Sequence, residues 1–204
     1  VLPMPGRFNV ANALVALAVS ELAGLPIEDA LAGIAHVVVP GRLQRIDEGQ
    51  DYLAIVDYAH KPAAVAAVIA TLRSEIKGRL CVVLGAGGDR DASKRAIMGR
   101  EAARGSDLFI VTDDNPRSED PAVIRAAVEA GAYELPTEER GEVRNIGDRA
   151  AAIRAAIAWA EPGDAVLVAG KGHETGQNVN GVIHHFDDRE EVRAALQERR
   201  TGSL

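Results

Sequence analysis

One cysteine, Cys81, occurs in 204 residues, and aromatic side chains make up only 3% of the chain. A lone thiol excludes an internal disulfide framework and fits a reducing compartment. Cys81 lies within Leu80-Cys81-Val82-Val83-Leu84, so it reads as a small buried hydrophobe rather than a nucleophile. No apolar run reaches the length of a membrane span. The stretch from Asn12 to Leu25 is interrupted by Ser20, Glu21 and Gly24 and reads as a packed helix. No secretory leader is visible either, so a cytoplasmic protein without a membrane partner is expected. Basic excess is also missing: the formal net charge of -7 argues against nucleic acid as a partner. Two glycine clusters resemble phosphate loops but lack their chemistry. Gly85-Ala86-Gly87-Gly88 has no following lysine and hydroxyl, and Gly170-Lys171-Gly172 has no hydroxyl after its lysine. Neither has the Gly-x-Gly-x-x-Gly spacing of a dinucleotide site. A chain that starts at Val1 without its own phosphate-transfer loop is expected to be a fragment.

What is present is a large aliphatic set. Hydrophobic residues make up 47% of the chain, enough for one main domain with an appendage. Helical signals come first, from Asn9 to Ala23 and from Pro26 through about Ala35, before Pro40-Gly41-Arg42 breaks the pattern. Strand and helix then alternate. Leu53 to Val56, Leu80 to Leu84, Leu108 to Val111 and Ala165 to Val168 read as buried strands. Helices are predicted over Pro62 to Ile76, Ser93 to Arg104, Pro121 to Ala130 and Arg149 to Ala160. Glu134 to Glu142 reads as an acidic connector. A short strand near Val182 to Phe186 and a helix from Arg189 to Arg199 close the chain. This alternation predicts an α/β fold with a doubly wound, mostly parallel sheet and a crevice at its carboxyl edge.

Each buried strand ends in a polar or glycine-rich signature, and together the signatures line up along that edge. They are Asp57-Tyr58-Ala59-His60, Gly87-Gly88-Asp89-Arg90, Asp114-Asn115-Pro116-Arg117 and Gly170-Lys171-Gly172-His173-Glu174. The third suits a zwitterion: Arg117 can pair bidentately with a carboxylate, Asn115 can donate or accept, and an aspartate can meet an ammonium. Blander readings stand beside this one. Asp57, Asp113 or Asp114 could cap the following helices, and Gly170 and Gly172 could simply supply positive φ. His60 and His173 read as hydrogen-bonded structural histidines, since no neighbouring Cys or His completes a ligand set. His184 and His185 point to opposite faces of a strand and cannot chelate together. No metal site and no catalytic residue is assigned.

In this order the signatures resemble the C-terminal part of the Mur ligases, in particular the branch that adds a diamino acid to the peptidoglycan stem peptide. The resemblance covers essentially the whole chain. Pro5-Gly6-Arg7-Phe8-Asn9-Val10-Ala11-Asn12 is similar to the end of that family's central ATPase domain, and Pro40-Gly41-Arg42 to the junction that follows. It implies a helical remnant of the central domain over 1–40 and a Rossmann-like amino-acid-binding domain over 41–204. It also implies an ATP-dependent amide ligase that joins meso-diaminopimelate to UDP-N-acetylmuramoyl-L-alanyl-D-glutamate through an acyl phosphate. ATP and Mg2+ would be held mainly by the central domain, and the protein would be a monomer. By motif position, Arg90, Asp114, Asn115, Pro116, Arg117, Gly170 and Glu174 would form the diaminopimelate pocket. Arg90 and Arg117 would suit carboxylates, and Glu174 and the Gly170 carbonyl an ammonium. Asn12, Arg42 and Asp57 would contact the nucleotide, with Asp57 suited to ribose hydroxyls. Lys61 stands where many relatives have Thr and receives no role.

The resemblance further implies that Asp-Asn-Pro-Arg marks meso-diaminopimelate, because lysine-adding relatives usually lack the arginine. A buried Arg117 without a carboxylate partner is costly, so its presence favours the substrate that brings one. Three other readings compete: a stand-alone amino-acid-binding module, a folylpolyglutamate synthetase or D-Ala-D-Ala adder, and a nicotinamide dehydrogenase. The Asp114-to-Arg117 run argues against the two other ligases, and the glycine spacing against the dehydrogenase.

Overall fold

The computed structural model describes Leu2 and residues 6–204; Val1 and Pro5, the latter opening the motif that ends at Asn12, lie outside the described residues. Two helices, α1 (Arg7–Leu22) and α2 (Ile27–Ala35), come first and pack on each other. They leave Leu14, Val15, Val19, Leu22 and Leu31 exposed. The chain continues through β1 (Gln44–Arg45), β2 (Leu53–Asp57), α3 (Pro62–Glu75), β3 (Leu80–Leu84), α4 (Lys94–Gly105), β4 (Leu108–Val111) and α5 (Pro121–Tyr133). Then follow β5 (Glu142–Asn145), α6 (Arg149–Trp159), β6 (Ala165–Ala169), the hairpin β7 (Gly176–Val179) and β8 (Val182–His185), and α7 (Asp188–Thr201).

The strands form a six-stranded sheet of order β1-β2-β6-β3-β4-β5, and β7-β8 form a separate two-stranded ribbon. Only β1 runs antiparallel in the large sheet. The four apolar strands read from the sequence are its interior, and β1 and β5 are the edges that the reading missed. Glu142 to Asn145 is therefore not the end of a loop: it pairs with β4 in register Leu108↔Glu142 to Val111↔Asn145.

Period-2 alternation explains the two faces. Leu80, Val82 and Leu84 of β3 pack with Val65, Leu72, Met98 and Val128 from α3, α4 and α5. Cys81 and Val83 point the other way, to Ile153, Ile157, Val192 and Leu196 from α6 and α7. Burial pushes the Cys81 thiol far above its ordinary range, in keeping with an inert core residue. Helices thus cover both faces, the Rossmann-like doubly wound arrangement.

The helix caps fall on aspartates other than those the sequence suggested. Asp120, Asp148 and Asp187 accept backbone N–H bonds at the starts of α5, α6 and α7. Helix α3 starts at Pro62 with no side-chain cap. Asp57, Asp113 and Asp114 cap no helix. After β3 the chain leaves to α4 on one face, and after β6 it leaves through β7-β8 to α7 on the other. β3 and β6 are neighbours, so a crevice opens beyond their carboxyl ends. No helix among the described residues is long and apolar enough to cross a membrane.

Candidate functional site

The loop after β4 is locked into its neighbours residue by residue. Thr112 donates its N–H to Leu84 O (3.1 Å) and its hydroxyl to Gly147 O (3.1 Å). The Asp113 carboxylate pairs with Arg125 of α5. Asp114 is buried, and its carbonyl accepts from Gln177 Nε2 at 2.8 Å. Asn115 accepts the Gly88 N–H on its carbonyl (2.9 Å). A Cβ on Gly88 would sit 1.9 Å from Pro116 O, so the two loops can interlock only if that residue is glycine.

Arg117 adopts φ 52, a left-handed conformation costing a non-glycine residue roughly 1–2 kcal/mol. The ribbon holds it there: Arg117 donates its N–H to Asn178 O (3.0 Å) and accepts from Asn180 N–H (2.6 Å). Its side chain turns inward, with Nη1 donating to Gly88 O at 2.6 Å. Among the described residues Nε and Nη2 have no hydrogen-bond partner, so the edge of the guanidinium that matches a carboxylate is open.

Arg117 lines a cavity of about 550 Å³ at the carboxyl ends of β3, β4 and β6. Arg90, Asp114, Asn115, Arg117, Gly170 and Glu174 all line it. Pro116 does not line it, and acts instead by shaping the loop. Arg90 is exposed at the rim, with Nη1 on Asp89 O at 3.1 Å. Gly170 sits at φ 117, where a Cβ would come within 3.3 Å of Asp114 Oδ2. The Asn115 amide lines the cavity but is engaged internally. Its Nδ2 donates to Asp114 Oδ1 (3.2 Å) and Glu174 Oε2 (3.0 Å), and its Oδ1 accepts from Asn178 N–H (2.9 Å) and Lys171 Nζ (3.2 Å).

A second cavity of about 640 Å³ lies beside the first and is lined by Asn12, Arg42 and Asp57 together with Leu43, Ala64 and Val68. The two share a wall of Tyr58, His60 and Lys61. Asp57 is 8% exposed, and both of its carboxylate oxygens accept backbone N–H bonds, from Leu43 (2.7 Å) and Ala59 (2.8 Å). Burial pushes its pKa up, against the pull of those bonds and of Arg42. The Arg42 guanidinium lies 4.6 Å from the centre of the Tyr58 ring, a cation–π contact. Tyr58 also packs against His60 (4.6 Å) and His173 (5.1 Å). His60 Nδ1 is 2.8 Å from Tyr58 O. No three His, Cys, Asp or Glu side chains among the described residues are grouped to hold a metal.

Two buried cations behind the first cavity were not singled out by the sequence. The Lys171 side chain is fully buried at the end of β6. Arg149, at the start of α6, pairs through Nε (2.7 Å) and Nη2 (2.8 Å) with Asp188 at the start of α7, both side chains fully buried. Its Nη2 also reaches Ala169 O (2.9 Å) and its Nη1 reaches Asp113 O (3.3 Å). Burial would lower its pKa, but Asp188 outweighs that and holds it above its ordinary value. One guanidinium thus ties the end of β6 to the loop after β4. Lysine and arginine are ordinarily solvent-exposed, so only the three-dimensional arrangement reveals them.

A family model described as "Mur ligase, glutamate ligase domain" matches residues 41–172. The UDP-N-acetylmuramoyl-L-alanyl-D-glutamate–2,6-diaminopimelate ligase of Corynebacterium glutamicum is 62% identical over 205 residues, covering 100% of this chain and 40% of that protein. The protein of the same name from Bradyrhizobium diazoefficiens is 51% identical, over 97% of this chain and 39% of its own length. A solved structure of a ligase with that name superposes with a TM-score of 0.75 at 40% identity, covering 97% of this chain and 40% of that one. The chain therefore spans about two fifths of the length of the relatives it matches.

Proposed function

The chain belongs to the Mur ligase family, and from that premise we propose that it is the amino-acid-binding portion of an ATP-dependent ligase that adds meso-diaminopimelate to UDP-N-acetylmuramoyl-L-alanyl-D-glutamate. The observation that carries this reading is the Arg117 guanidinium: held by Gly88 on one nitrogen, with Nε and Nη2 unpaired among the described residues, it lines a cavity that also contains Asp114 and Glu174. Such an edge takes a carboxylate in two parallel hydrogen bonds, and the carboxylates across the cavity take an ammonium. The far end of diaminopimelate presents both groups, whereas the far end of lysine presents only the ammonium.

In the reaction so proposed, ATP phosphorylates the terminal carboxylate of the UDP-linked dipeptide. The free amine at the near end of diaminopimelate then attacks the acyl carbon. A C–N bond forms, the C–O bond to phosphate breaks, and the amine proton is lost. This chain contributes the fixed position of the amine, which lowers the entropic part of the barrier. The second cavity fits an adenine nucleotide, with an apolar base and Asn12 and Arg42 at its rim. Both oxygens of Asp57 already accept backbone N–H bonds, so a ribose hydroxyl would add to an occupied carboxylate. We assign 1–40 to the end of a central domain, a reading supported by the exposed apolar side chains of α1 and α2, and 41–204 to the amino-acid-binding domain. Phosphate and Mg2+ binding are assigned to that central domain. The whole enzyme is read as a cytoplasmic monomer.

Calorimetric titration of the 204-residue chain tests the reading. Binding of meso-diaminopimelate is expected in the region of 1 mM (about -4 kcal/mol), with lysine at least about tenfold weaker and little heat from ATP. Equal affinity for the two amino acids would contradict the reading, as would a micromolar Kd for ATP.

A further inference from the structure

Lys171 has no role in the function proposed above and does not line the cavity. It lies directly behind the acidic wall. Its side chain is fully buried, with Nζ 3.2 Å from Asn115 Oδ1, 3.5 Å from Asp114 Oδ1 and 3.7 Å from Glu174 Oε2. A buried ammonium is tolerated only when paired and hydrogen-bonded. Here one ammonium is shared between two carboxylates, at distances longer than a tight ion pair. Lysine can only donate, so with the Asn178 N–H (2.9 Å) its contact with Asn115 Oδ1 fixes which way that amide points. The amide NH2 must then face Asp114 and Glu174, which it bridges at 3.2 and 3.0 Å.

We infer that Lys171 is a positioning residue, the internal counter-ion of the acidic wall. Two carboxylates and one ammonium leave the wall a single negative charge, matched to one ammonium of a zwitterionic amino-acid terminus. Without Lys171 two neighbouring carboxylates would face a ligand that also carries a carboxylate, and the Asn115 amide would lose a partner that orients it. The inference rests on the proposed diaminopimelate site for its ligand, but the counter-ion relation itself does not depend on that ligand.

Two variants test it in the complete ligase and in this chain. Lys171→Met should raise the KM for meso-diaminopimelate about tenfold or more with KM for ATP unchanged, and should lower the urea midpoint of the 204-residue chain. Lys171→Met/Asp114→Asn restores a single negative charge. It should recover most of the midpoint, whereas deleting a carboxylate would not rescue a lysine needed only for packing. A Lys171→Met enzyme with wild-type KM, or a double variant no better than the single in urea, overturns the inference. If the wild-type ligase does not use meso-diaminopimelate, the proposed function fails. The urea midpoints then still decide the counter-ion.

Discussion

Arg117→Ala in the complete ligase should raise the KM for meso-diaminopimelate by about 100-fold or more, while the KM for ATP stays within about threefold. Two charge-assisted hydrogen bonds to one carboxylate are together worth about 3 kcal/mol. The variant also removes the guanidinium from Gly88 O but leaves the backbone clasp of Arg117 to Asn178 and Asn180 in place. The second cavity, proposed for the nucleotide, does not include Arg117, so the change does not touch it directly. Arg117→Lys should fail nearly as badly, since an ammonium cannot both hold Gly88 and present a fork. Steady-state kinetics with each substrate varied in turn read this out. Equal loss for both substrates would mean that Arg117 supports the loop rather than the ligand.

The second large effect is on stability. Arg149→Met leaves the Asp188 carboxylate fully buried without its partner and should cost about 3–5 kcal/mol. Arg149→Met/Asp188→Leu removes both charges and should recover at least half of that, because a buried pair gains little over well-packed apolar side chains. Recovery should be incomplete: Ala169 O and Asp113 O lose the donor they share, and unmet buried carbonyls carry their own cost. Urea unfolding of the three proteins measures it. A double variant as unstable as the single would show that the pair's worth lies in its carbonyl contacts rather than in charge balance.

Much of this molecule was legible from residue order because its interior strands are continuous apolar runs. Leu80 to Leu84 and Ala165 to Ala169 are short apolar runs bounded by turn residues, the pattern of a strand covered on both faces. The edges were not legible. Glu142-Val143-Arg144-Asn145 has a single apolar residue and is half-exposed. Gly176 to Val179 is mostly polar, and it pairs with the β8 ribbon rather than with the large sheet. The lining of the first cavity was readable for the same reason as the strands: in a parallel sheet the residues after each carboxyl end must converge. What order could not show was the state of each side chain. Asn115 reads as a ligand contact, yet both its donors and its acceptor are engaged within the protein. Lys171 lies in a glycine cluster that failed as a phosphate loop and received no role, and it is buried behind the wall. Arg149 and Asp188 lie far apart in sequence, and only the packing of α6 beside α7 brings them together.

The unpaired Nε and Nη2 of Arg117 are proposed to receive a carboxylate found only on the longer diamino acid. A crystal structure of the protein soaked with meso-diaminopimelate tests it most directly. The distal carboxylate is expected on Arg117 Nε and Nη2 at about 2.7–2.9 Å, with the neighbouring ammonium against Glu174. Density for the ligand in the cavity with both carboxylates away from Arg117 would contradict it.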